Sequence, residues 1–173
     1  AAARIDGRCD VAAMSRFMKA SEFKKAVDKE VLPVAHVVAM DGICVVVHPS
    51  NPVKSLTLDQ IRKIYTGKIT NWKQVGGPDK KVHVITRDSS SGTFGFFSKS
   101  VLKGDKIVES AESVSGQTPM HRRVSATQNA IGYVGLAVLD DKLKAVKVEG
   151  VLPTRRTVAT GKFPISRPLF LFT

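Results

Sequence analysis

An α/β fold is what this chain predicts, and three observations carry that reading. Short apolar runs alternate with amphipathic stretches along most of its length. Glycine and proline clusters punctuate the changes of pattern. Some apolar runs lack in–out alternation, as strands covered on both faces do. The chain has 173 residues, enough for one domain or two small lobes with a real core. A mostly parallel sheet flanked by helices is the expected architecture.

The elements follow in order. Ala1 to Ile5 reads as the last turn of a helix, stopped by Asp6-Gly7. Cys9 to Met14 reads as a short strand ending on Ser15-Arg16. Ser21 is placed to cap a helix running to about Lys29, with Phe23, Ala26 and Val27 apolar. Two doubly covered strands are expected at 34–39 and 43–48, split by a hairpin-like turn that Asp41 would stabilise. Pro49-Ser50-Asn51-Pro52 breaks the pattern and reads as a lobe crossing. Thr57 caps a helix over 58–65, ended by Gly67. Ala130-Ile-Gly-Tyr-Val-Gly135 is a glycine-punctuated strand, and 146–148, 157–160 and 168–172 are further strand candidates. Trp72, Gly132 and Tyr133 read as packing and turn residues. The chain opens inside a helical turn and stops inside an apolar run, so both termini read as cut.

The stretch from Val82 to Phe97 carries the chemistry. It reads as a buried strand, an arginine, then a small-polar loop opening into an apolar helix. A helix start presents backbone N–H groups and the positive end of the macrodipole. Gly92 permits close approach of the main chain, Ser91 and Thr93 add hydroxyls, and Arg87 offers a planar fork for two oxygens of a tetrahedral anion. Two readings fit: an oxyanion receptor, or an ordinary serine cap with Arg87 paired to Asp88 on the surface.

Composition narrows the alternatives. Hydrophobic content of 43% and charged content of 24% suit a soluble globular chain. No apolar run approaches the ~18 residues that cross a bilayer, and the first residues do not form a signal peptide. Net charge is +12, from 27 Lys and Arg against 15 Asp and Glu, which favours anionic partners. The basic residues are scattered pairs, and aromatic content is 6%, so a base-stacking nucleic-acid surface is not expected. The two cysteines, Cys9 and Cys44, lie in apolar segments and read as buried thiols, with a disulfide left open. No metal site or cofactor is expected.

The order of these segments is similar to that of the phosphate-binding proteins of bacterial ABC transporters, in the type II periplasmic-binding-protein superfamily. The resemblance rests on the run Asp6 to Arg16, on Asp41-Gly42-Ile43, on His48 to Val53, and on Leu56-Thr57 through Tyr65-Thr-Gly-Lys-Ile-Thr-Asn-Trp72. It continues through Arg87-Asp-Ser-Ser-Ser-Gly-Thr93, Ala130 to Tyr133, and Pro164 to Leu169. It implies two α/β lobes with mixed sheets and phosphate held between them. Residues 1–48 and 157–173 would form a partial first lobe, and 49–156 the second lobe with the anion loop. Arg87, Ser91, Gly92 and Thr93 would contact phosphate, with Ser15 and the adjacent Arg16 as further ligand residues. Some relatives carry an aspartate where Arg16 stands, and a cation there would favour a more deprotonated anion. The resemblance also implies a periplasmic or extracytoplasmic location, a permease partner and no catalysis.

Three rivals remain at this stage. Another oxyanion such as molybdate, tungstate or sulfate would fit the same loop chemistry. A phosphate-ester hydrolase would need a base near Ser89, Ser90 or Ser91, and His36, His48, His83 and His121 bear no recognisable relation to them. A nucleic-acid module would draw on the +12 charge and bind duplexes with steep salt dependence.

Overall fold

The computed structural model describes residues 2–173. It divides into two compact units, one of residues 1–41 and 167–173, the other of residues 42–166.

The first unit opens with helix α1 (Ala2–Ile5), ended by Gly7 at φ +66°. Strand β1 (Ala12–Met14) follows, shorter than the expected 9–14. Helix α2 (Ala20–Val27) starts ahead of Ser21, because Glu22 reaches back to accept the Lys19 N–H at 2.8 Å and closes the first turn there. Lys29 ties this segment to Asp6 at 2.6 Å. Strand β2 (Ala35–Val47) begins in this unit and is continuous through Asp41 and Gly42, so the expected hairpin is absent. Asp41 instead pairs with buried Arg167 at 3.1 Å. Gly42 serves close packing: a Cβ there would run into the Val158 side chain.

The rest of the chain builds the second unit. It contributes β3 (Ser55–Leu56), α3 (Leu58–Tyr65), β4 (His83–Arg87), α4 (Gly92–Phe97), β5 (Glu112–Val114), α5 (Gln117–Ala126) and β6 (Ala130–Gly135). Then come β7 (Lys144–Ala145), β8 (Lys147–Val148), α6 (Arg155–Ala159) and β9 (Ser166–Phe172), which returns to the first unit. There β9 pairs antiparallel with β1, setting Met14 opposite Phe170. Met18, Phe170 and Phe172 form that unit's small core, with Phe17 edge-on to both phenylalanine rings.

In the second unit Ile43 to Val47 of β2 pairs antiparallel with β6, while β4 pairs parallel with both β6 and β5. The sheet is therefore mixed, not mostly parallel, because β2 enters it from the opposite direction. Alternation along β2 sorts the side chains by face. Ile43, Val45 and Val47 join the core with α3 and Trp72, and Cys44 and Val46 join a second core under α5. Gly132 on β6 lets α5 come close, since a Cβ would lie 2.6 Å from Val124 Cγ2.

Three further expectations are corrected. The first half of β2 is not covered on both faces: Val37 is 63% and Val38 54% exposed. Cys9 is half-buried, unlike fully buried Cys44. Segment 157–160 is not a strand: its first three residues belong to α6 and Thr160 caps that helix, because Thr154 Oγ1 accepts the Thr157 N–H and starts α6 despite the β-branched residues. That turn buries Val158 in the core of the second unit. In contrast α3 follows its sequence signals, with Thr57 accepting from Gln60 and Gly67 at φ +77° beyond its end.

Candidate anion-binding site

Strand β4 is buried at Val84, Ile85 and Thr86, so its last residue, Arg87, emerges at the edge of the core. The chain then turns, with Ser91 N–H donating to the Asp88 carbonyl at 3.1 Å. Ser91 caps α4 from extended backbone, its Oγ accepting the Phe94 N–H at 3.3 Å. A wide π-type turn, Ser98–Leu102, carries the same rod onward. Gly92 and Thr93 thus stand in the first helical turn, with Thr93 buried and Gly92 half-buried. Four of the expected ligand residues, Arg87, Ser91, Gly92 and Thr93, fall within one strand–turn–helix corner.

Arg87 is the unusual member. Its side chain is 13% exposed, and its nearest carboxylate oxygen, Asp88 Oδ2, is 3.7 Å from Nη2. Nε is buried without a hydrogen-bond partner. A mostly buried cation with an unmatched donor costs stability unless an anion comes to it. Arg87 does pair with Asp88, as the second reading expects, but its side chain is largely buried and not on the surface. Asp88 itself stays ionised below the ordinary carboxylate range, because the Ser90 hydroxyl donates to it and Arg87 lies close, against a counteracting burial effect.

The other two expected ligand residues lie in the first unit. Ser15 follows β1 and lines an open hollow with Ala13, Met14, Leu169 and Phe170. Arg16 gives both Nη groups to Glu22, at 2.8 and 2.7 Å, and a further bond to the Phe17 carbonyl at 2.9 Å. That guanidinium pulls the Glu22 carboxyl down to about 2. Arg16 is committed to a carboxylate of its own unit.

Trp72 is fully buried, with Nε1 donating to the Asn129 carbonyl at 2.9 Å, so it packs. The four histidines bond elsewhere: His36 to Thr173, His48 to Ser50, His83 to Glu112 and His121 to Asp140. None of these bonds reaches Ser89, Ser90 or Ser91, so no histidine is bonded to a candidate nucleophile. Among the described residues no group of three His, Cys, Asp or Glu side chains could hold a metal. No described helix is long and apolar enough to cross a membrane. Sequence reasoning missed the hydroxyl of Tyr133, which accepts the Arg87 backbone N–H at 3.0 Å. A tyrosine in an apolar strand carries no signal of which strand end its hydroxyl will meet.

The strand tip with Arg87 and the serine cap of α4 lie in one strand–turn–helix corner, an arrangement that can hold an anion. Comparison with known proteins shows the family: the PBP superfamily domain matches residues 3–173, and the chain belongs to that superfamily. It is similar to the phosphate-binding protein PstS of Bacillus subtilis (strain 168), at 40% identity over 146 residues, 84% of this chain and 48% of the relative. The Staphylococcus haemolyticus protein of the same name is 35% identical over 179 residues, 97% of this chain and 56% of its own. The chain thus spans about half the length of the curated relatives it matches. A Clostridium perfringens protein solved with bound phosphate superposes with a TM-score of 0.90 at 36% identity, covering 99% of this chain and 68% of that one. An ABC-type phosphate transport receptor from Vibrio cholerae gives 0.81 at 32% identity, covering 99% and 69%.

Proposed function

We propose that this chain binds inorganic phosphate non-covalently, as part of an extracytoplasmic binding protein that hands its ligand to an ABC-transporter permease. No bond is made or broken. Arg87 is the observation that carries the reading: a largely buried guanidinium with a partnerless Nε, at a strand tip beside a serine-capped helix start. Ser91, Gly92 and Thr93 would complete the cradle, and Ser15 is a further ligand candidate. The phosphate named in the relatives supports the choice of oxyanion. Asp88 adds a chemical reason. A carboxylate held ionised next to Arg87 offers an acceptor that a protonated phosphate oxygen satisfies and a sulfate oxygen repels. The +12 charge would speed anion capture at low ionic strength.

Titration calorimetry of phosphate against sulfate tests this directly. Heat on adding phosphate, with little on adding sulfate, is the expected result. Arg87→Ala should weaken phosphate on the order of 100-fold, the cost of one buried charge-assisted contact. Its melting temperature should change little, because removing a buried cation with a partnerless Nε offsets loss of the 3.7 Å pair with Asp88. Tight sulfate binding without a phosphate response would overturn the assignment.

A further inference from the structure

Two halves of the anion loop must keep a fixed spacing: the end of β4, which carries Arg87, and the start of α4, which Ser91 caps. A single side chain touches what holds both. The Tyr133 hydroxyl accepts the Arg87 N–H at 3.0 Å and shares a 3.0 Å hydrogen bond with Thr86 Oγ1, so it grips the strand tip. The Tyr133 ring stacks on Phe97, the last residue of α4, with centroids 4.1 Å apart and planes within 10°. Tyr65 braces the same assembly. Its ring meets Phe97 edge-on at 4.9 Å, and its hydroxyl donates to the Ile85 carbonyl at 3.3 Å.

We infer that Tyr133 is a positioning residue for the anion site, setting the reach of Arg87 relative to the α4 start without touching the ligand. This rests on the phosphate-binding reading above for its functional consequence, though not for its structural one. The hydroxyl is suited to the task. It has no side-chain freedom left once the ring is stacked, and burial pushes its pKa up, so it stays neutral at physiological pH. Neither stacking nor burial alone would need a tyrosine, since phenylalanine fills the same space. The hydroxyl is the part that acts on Arg87.

Tyr133→Phe in the whole chain separates positioning from packing, because it keeps the ring and removes the grip. Amide hydrogen exchange at residues 87–93 should speed up at least tenfold, while the amides of β2 and β6 keep wild-type rates. Phosphate affinity should fall about tenfold, as loss of one buried hydrogen bond predicts. Uniform acceleration across the sheet, or no change at 87–93, overturns the inference, as does unaltered phosphate affinity in a protein that binds phosphate. Should the wild type bind no phosphate, the proposed function fails and the exchange comparison alone decides the positioning role. If Tyr133→Phe does not fold, Thr86→Val removes the hydroxyl that orients Tyr133 and should loosen the same segment. Unchanged exchange there would equally overturn the inference.

Discussion

Arg87 and Gly132 mark two ways in which a single residue is used here. Arg87 is placed against stability: a cation with an unmatched donor at the margin of the core. Gly132 is placed for packing alone. It sits within β6 at an ordinary backbone angle, and a methyl group there would meet Val124 Cγ2 at 2.6 Å and Met120 Sδ at 2.7 Å. The methionine can swing aside, but the valine is β-branched and held in the core. Gly132→Ala should therefore destabilise the protein by ~1–3 kcal/mol, through overpacking beneath α5. Urea unfolding checks this. A midpoint equal to wild type would mean that α5 moves off β6 at no cost.

At the scale of elements, β2 is the most instructive. Its sequence from Ala35 to Val47 is nearly uniform in polarity, yet its two halves live in different surroundings. Residues 43–47 are fully buried, paired to β6, and share the two cores of the second unit. Residues 36–40 are exposed on both faces. Burial and two-sided pairing, more than composition, govern how often a strand opens. Amide exchange should accordingly be slow at 43–47 and faster by several orders of magnitude at 36–40. Equal protection of the two halves would mean that something covers the first half in solution.

For the molecule as a whole, the excess of basic residues shapes its response to acid. Carboxylates are held ionised by nearby cations: Glu22 by Arg16 and Glu112 by Arg123, each down to about 2, with Asp6, Asp59 and Asp79 lowered by Lys29, Lys63 and Lys73. A depressed folded-state value means stability that is complete above the unfolded value and lost as pH falls through the folded one. The window for Glu22 and Glu112 runs from about 4.5 down to about 2. These pairs are partly exposed, so the loss should be gradual and reduced by salt. Urea midpoints taken down this range should decline, and Glu22→Gln should decline less steeply over the same interval. An identical slope in the variant would mean that the Arg16–Glu22 pair contributes nothing to the acid response. The charge excess lies mostly in the second unit, where 19 Lys and Arg stand against 9 Asp and Glu, beside 8 against 6 in the first.

Local chemistry settled much of this protein before any folding. Thr57 and Gly67 bound α3, Ser91 caps α4, and the apolar run after Lys81 becomes β4 with Arg87 at its tip, because caps, turns and periodicity act over a few neighbouring residues. The family was legible for the same reason, in motifs that occur as unbroken runs. Tertiary structure alone decided the remainder. It made β2 one strand where Asp-Gly looked like a turn, made 155–159 a helix against its β-branched residues, and bound Arg16 to Glu22. It also brought the Tyr133 hydroxyl to an amide 46 residues away. Such pairings depend on which strands become neighbours and which faces are covered, and those are long-range outcomes of packing that no short stretch of sequence contains.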